Sequence, residues 1–353
     1  MNNTFLPSAL KFVSKFKYAF VLFLMIFVGF VNKAVGQEAY AVVSTDSTTL
    51  TFYFDNQKAN REGTVYELNS GNNTPGWLEP GFRSLYTEPH SKYTKVIFDA
   101  SFASMRPTSC YSWFAGFDKI TSIIGLEYLN TSYVTNMSYM FYNCRSLTSL
   151  DVSNFITNKV TTMASMFHHC QSLEYINVSS FNTDKVTDMN SMFDCCKKLR
   201  SIDLRRFNTV NVTRMGCMFY ECKSLTILDL SSFDTRHVNN TKRNDDYFNF
   251  DDYRGMRKMF YSCANLTTIY ASDKFVLSYF ETIMFSGCTK LVGEKGSNYN
   301  NRQQDYKYAH IDEGPSNPGL FQLLLLLLIP PTLISLSPSI LLSFPTMALQ
   351  ENL

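Results

Sequence analysis

One interval recurs along this chain and limits what it can fold into. The segments beginning at Val134, Val160, Val186 and Val212 superimpose without a gap at a period of 26 residues: VTNMSYMFYNCRSLTSLDVSNF, VTTMASMFHHCQSLEYINVSSF, VTDMNSMFDCCKKLRSIDLRRF and VTRMGCMFYECKSLTILDLSSF. A fifth copy starts at Val238 and carries an insertion over 241–255 before Met256 to Cys263 restores the pattern, and a degenerate sixth runs from Ile283 to Leu291. A self-similar chain of this kind buries its apolar face only by stacking one unit on the next, so the repeat decides the architecture.

Two hydrophobic periods lie inside each unit. Val134, Met137, Met140, Phe141 and Cys144 follow three-and-four spacing, which predicts a short helix with Thr135 as its cap. Leu147, Leu150 and Val152 shift to the LxxLxL spacing of a short strand and turn. The fold class expected is therefore an α+β solenoid, a leucine-rich-repeat stack of about six to seven strand-plus-short-helix units with a β-rich N-terminal cap.

The ends differ from the repeats. Lys11, Lys15 and Lys17 precede the uncharged run from Tyr18 to Val31, and Ala34-Val35-Gly36 supplies small residues, so 1–36 reads as a secretion signal cleaved before Gln37, with a retained anchor helix as the alternative. Residues 37–93 read as a β-rich cap: Thr49 to Phe54 alternates, Arg61-Glu62-Gly63 turns and Thr64-Val65-Tyr66 returns. Residues 94–128 form an atypical leading repeat in which Trp113-Phe114 stands where later copies have Met-Phe. Repeats fill 129–299, a C-terminal cap 300–319 and an apolar low-complexity tail 320–353. The tail carries a pure leucine run from Leu323 to Leu328, but Pro330, Pro331, Pro338 and Pro345 interrupt it. Membrane attachment through it is the lesser alternative to a tail without a fold.

The pattern V-T-x-M-x-x-M-F-x-x-C-x-x-L-x-x-L-D-L-S-x-F, from about Thr94 to Leu291, resembles the BspA-like family of leucine-rich-repeat surface proteins. Two flanking stretches resemble the same family: Ala39 to Val42 through Gly63 to Tyr66, and Tyr308 to Asp312 with Gly314 to Gly319. The resemblance implies a secreted or cell-surface protein that binds macromolecules of a host or neighbouring cell, without naming the ligand.

The remaining chemistry is sparse. Thirty-two basic and thirty acidic residues spread without long runs, which argues against nucleic-acid binding. No nucleophile–base pairing or phosphate loop recurs, so no enzymatic activity, catalytic residue or cofactor is expected. His168-His169-Cys170 is the one cluster that suggests a metal. Neighbouring copies replace both histidines, and adjacent side chains diverge rather than converge on one ion, so no metal is expected. Six cysteines form a column (Cys144, Cys170, Cys196, Cys222, Cys263 and Cys288) and read as buried free thiols rather than disulfides. The state of Cys110, Cys195 and Cys217 is open.

Two groups qualify as ligand-facing. Asp151, Asn177, Asp203 and Asp229 line the outward strand positions, where each either accepts hydrogen bonds from the following turn or forms a polar stripe for a ligand. Tyr247, Phe248, Phe250 and Tyr253 lie in the acidic insertion, which reads as an exposed loop that either contributes to ligand contact or folds its aromatics back on the flank of the repeats. The functional expectation is an exported or surface protein mediating adhesion or protein–protein interaction through its open strand face and loops. The alternative is a structural envelope or scaffold protein that self-associates without a specific ligand.

Overall fold

A computed structural model describes residues 36–78, 92–238, 255–276 and 283–293, with the backbone of 322–323. The expected signal segment up to residue 35, the four insertion aromatics, the cap over 300–319 and the tail beyond Leu323 lie outside the described residues.

The expected α+β solenoid of strand-plus-helix units does not form. Among the described residues there is no α-helix, only short 3-10 segments at Lys58–Asn60, Ala100–Ser104 and Leu126–Tyr128. Seven short strands fall into two small sheets, and the architecture is mainly β with little helix. Each segment expected to be helical is instead a run of turns.

The physical reason lies in where the backbone N–H groups go. Met140, Tyr142 and Cys144 donate to the carbonyls of Met137, Tyr139 and Phe141, closing three-residue turns. The alternate groups, Met137, Tyr139, Phe141 and Asn143, donate instead to Thr162, Ala164, Met166 and His168 of the following repeat. An α-helix would keep all of these bonds within one segment. Here half of them join neighbouring repeats. The alternation requires a left-handed residue at every fourth position: Tyr139 and Asn143, Ser165 and His169, Ser191 and Cys195, then Cys217 and Glu221 all have φ between 51° and 60°. Thr135 is accordingly no helix cap; its hydroxyl donates to the carbonyl of Thr108 in the preceding unit.

The inward side chains of successive repeats form ladders. Phe141, Phe167, Phe193 and Phe219 stack in parallel at centroid separations of 5.6, 5.6 and 5.9 Å, continuing to Phe260 at 6.1 Å and Phe285 at 5.6 Å. Beside them each column thiol donates to the carbonyl of a phenylalanine one repeat back, as Cys170 does to Phe141 at 3.2 Å and Cys222 to Phe193 at 3.0 Å. None of the nine cysteines forms a disulfide, and all are buried. A third ladder is polar: the buried hydroxyl of Thr183 accepts from the Asn208 N–H and donates to the Asn208 carbonyl, both at 2.8 Å. Thr131, Thr157, Thr209 and Thr235 repeat this double bond to Ile156, Asn182, Asp234 and Val276. A buried hydroxyl thus supplies both halves of a backbone bridge where the chains are too far apart to pair directly.

The N-terminal region is conventional sheet. Strands β1 (Glu38–Val43), β2 (Thr49–Asp55), β3 (Thr64–Glu67) and β4 (Lys95–Phe98) lie in the order β3-β1-β2-β4, with β4 parallel to β2. Gly63 (φ 109°) sits where a Cβ would come within 2.2 Å of the Val43 carbonyl oxygen, so the turn into β3 admits no larger residue. Phe52 of β2 anchors this sheet to the first repeat by stacking on Phe98 and Trp113 and meeting Trp77 edge-on.

Candidate interaction face

In each repeat the chain runs from the turn segment into the LxxLxL stretch. Leu150 and Val152, Ile176 and Val178, and Leu228 and Leu230 point inward and are buried. The residues between them therefore face outward. The stretch becomes regular strand only toward the C-terminal side, as β5 (Ile227–Leu230) and β6 (Thr268–Ala271), which pair in parallel with Asp229 opposite Tyr270. A short β7 (Gln322–Leu323) adds to the far edge of β6.

Asp151, Asn177 and Asp203 are exposed and Asp229 is half-buried. Each side chain accepts the backbone N–H two residues on: Ser153 for Asp151 at 2.9 Å, Ser179 for Asn177 at 3.0 Å, Arg205 for Asp203 at 3.1 Å and Ser231 for Asp229 at 3.0 Å. These Asx turns fix the side chains; Asp203 is further gripped at both oxygens by the Arg205 guanidinium and Asp229 accepts the Ser231 hydroxyl. The hydrogen bonds from Ser153 hold the Asp151 carboxyl below its ordinary range, and the Arg205 guanidinium does the same for Asp203. The structure thus places all four residues in equivalent outward positions and gives each a structural bond. It does not place them with Tyr247, Phe248, Phe250 or Tyr253, which lie outside the described residues.

Tyr175, which no sequence motif marks, occupies the outward position two residues before Asn177 and is 58% exposed. Glu174 beside it pairs with Arg200 of the next repeat at 3.3 Å. The available signal was the column itself, since the equivalent places hold Ser149, Ser201 and Ile227 and only here an aromatic ring. Tyr133 is similarly exposed at a loop edge, with the Lys159 ammonium 3.6 Å from its ring centroid. Among the described residues no helix is long and apolar enough to cross a membrane.

No curated protein and no solved structure matches the chain. A family model described as "Mycoplasma protein of unknown function, DUF285" matches residues 108–202, 135–247 and 177–298, in overlapping windows that together cover more than half of the 353 residues. These windows span the stacked repeats and their outward face, and the chain belongs to that family.

Proposed function

We propose that the protein is exported or held at the cell surface and mediates adhesion or protein–protein interaction through its outward strand face and loops, as its resemblance to the BspA-like proteins implies. The observation that carries this reading is the face itself: an exposed Tyr175 set among Asp151, Asn177 and Asp203, the last three each held by an Asx turn. Tyrosine gives a large contact area at small cost in conformational freedom, and polar groups fixed before binding lose little further entropy. The partner class is a protein on a host or neighbouring cell. No catalytic role attaches to any residue of the face.

The test uses the full-length protein, fluorescently labelled, on intact cells. Binding is expected to saturate, and Tyr175→Ser is expected to weaken it about tenfold or more, the effect of losing a central aromatic contact. Protease treatment of the producing cells should also remove the protein without lysis. Binding that never saturates, or concentration-dependent self-assembly with no cell binding, overturns the proposal.

A further inference from the structure

In the turn segments of two successive repeats, two adjacent histidines and an aspartate of the next repeat meet. Asp194 holds, one repeat on, the place that His168 holds in its own. The His169 N–H donates to the Asp194 carbonyl at 2.8 Å, which locks the two repeats in register at this point.

The expectation that neighbouring side chains diverge fails here for a backbone reason. His169 is one of the left-handed residues, with φ at 58°, and the bend brings its ring onto that of His168, centroids 4.6 Å apart at an interplanar angle of 29°. One donor atom from each of His168, His169 and Asp194 then lies within 4.8 Å of the others. The His168 Nδ1 is 3.7 Å from Asp194 Oδ2. It is buried with no hydrogen-bond partner, although His168 is only 9% exposed. A buried ring nitrogen left unsatisfied is uncommon, because it forfeits its bond to water without replacement.

We propose that His168, His169 and Asp194 form a binding site for a divalent transition-metal ion of the zinc class. Two ligand atoms each about 2.1 Å from a tetrahedral ion stand about 3.4 Å apart, close to the separation between His168 and Asp194, and a gap of up to 4.8 Å closes with side-chain adjustments totalling about 1.4 Å. Two imidazoles and one carboxylate suit Zn²⁺, Co²⁺, Ni²⁺ or Cu²⁺, and disfavour Ca²⁺ and Mg²⁺, which take all-oxygen sets. Three protein ligands leave a further position for water or for a donor from a partner molecule. His169 is half-buried, so the site opens to solvent on its side.

The preceding repeat supplies the variants for the test. Tyr142 and Asn143 occupy the two histidine positions there, Asn143 with the same left-handed backbone. H168Y and H169N therefore install residues that this backbone already accepts, and both are expected to keep the circular dichroism and unfolding midpoint of the parent. Titration of the full-length chain with Zn²⁺ alone, followed calorimetrically, should show one site. Co²⁺ should give the visible absorption of a low-coordinate ion, and Zn²⁺ should abolish it. Each variant, and D194N, should weaken Zn²⁺ binding tenfold or more. Absence of Zn²⁺ binding by the parent, undiminished binding by the H168Y/H169N double variant, or Ca²⁺ binding as tightly as Zn²⁺ overturns the proposal.

Discussion

Phe52 in the N-terminal sheet and Phe193 in the repeats are both fully buried, yet their surroundings differ in kind. Phe52 meets Trp77 and Phe102 at steep angles and lies flat on Phe98 and Trp113, a set of contacts made once among the described residues. Phe193 has the same neighbour on either side, Phe167 and Phe219, with interplanar angles of 10° and 7°. The sheet region is a cluster in which each residue touches many different ones. The repeats are a ladder in which each residue touches its own equivalents. A cluster fails as a unit, whereas a ladder loses the damaged rung and the two beside it.

The sharpest way to break this comparison is to truncate both rings. Phe52→Ala and Phe193→Ala should each cost about 3 to 5 kcal/mol in denaturant titration. Hydrogen exchange should separate them. Loss of protection after Phe52→Ala is expected throughout β1 to β4, and after Phe193→Ala only in the repeats centred on Phe167, Phe193 and Phe219. A cost below about 1 kcal/mol for Phe193→Ala would show that the phenylalanine ladder is not the core of the repeats.

Thr183→Val tests the polar ladder at an intermediate scale. It keeps the shape of the side chain but strips the Asn208 N–H and carbonyl of their partner. The expected loss is about 1 to 3 kcal/mol, measured by the same titration, with Thr183→Ser costing less. If valine is neutral, water or a backbone shift satisfies Asn208 and the ladder owes nothing to the hydroxyl.

Outward positions should matter least to stability. Asp203→Ala is expected to stay within about 0.5 kcal/mol of the parent, because the Asx bond and the Arg205 ion pair it removes both lie on an exposed turn. A larger loss would move the outward column from the binding face to the frame of the repeat.

The smallest effect is confined to acid. Arg236 holds the Asp234 carboxyl down to about 2. A carboxyl depressed on folding contributes stability above its unfolded value of about 3.9 and loses it as the pH falls through the folded one. Arg236→Ala should move the Asp234 titration, followed by NMR, up toward the unfolded value and flatten the pH dependence of stability between about 4 and 2. An unmoved titration would assign the depression to the turn N–H of Arg236 rather than to its side chain.

Much of this was legible in the residues. Every member of the expected inward set Val134, Met137, Met140, Phe141 and Cys144 is fully buried. The backbone that delivers them was not legible, because a run of turns with a left-handed residue every fourth place brings positions three and four apart to one side just as a helix does. Glycine would have betrayed the left-handed places. From Tyr139 to Ser262 they hold Tyr, Asn, Ser, His, Cys, Glu and Lys instead, and glycine takes such a place at Gly116 in the leading repeat and Gly287 in the last copy. The buried threonines had a signal that period-based reading discards: Thr131, Thr157, Thr183 and Thr209 never vary in type across four repeats, although each sits in a stretch that resembles an ordinary polar turn. The meeting of His168 and His169 depends on one dihedral angle and could not be read from spacing.

Between the fourth and fifth repeats the ladders change their separation along the chain without changing it in space. The Thr267 N–H bonds the Thr226 carbonyl across 41 residues, at 2.8 Å, where the equivalent Arg200 N–H bonds the Glu174 carbonyl across 26 at 3.2 Å. Gly255 takes from Met215 the hydrogen bond that Arg214 takes from Met189. The rungs register on one another and are indifferent to how much chain joins them. The stretch between Val238 and Gly255 is thus a cassette port: epitope tags, fluorophore sites or whole small domains placed there are expected to leave the frame unaltered.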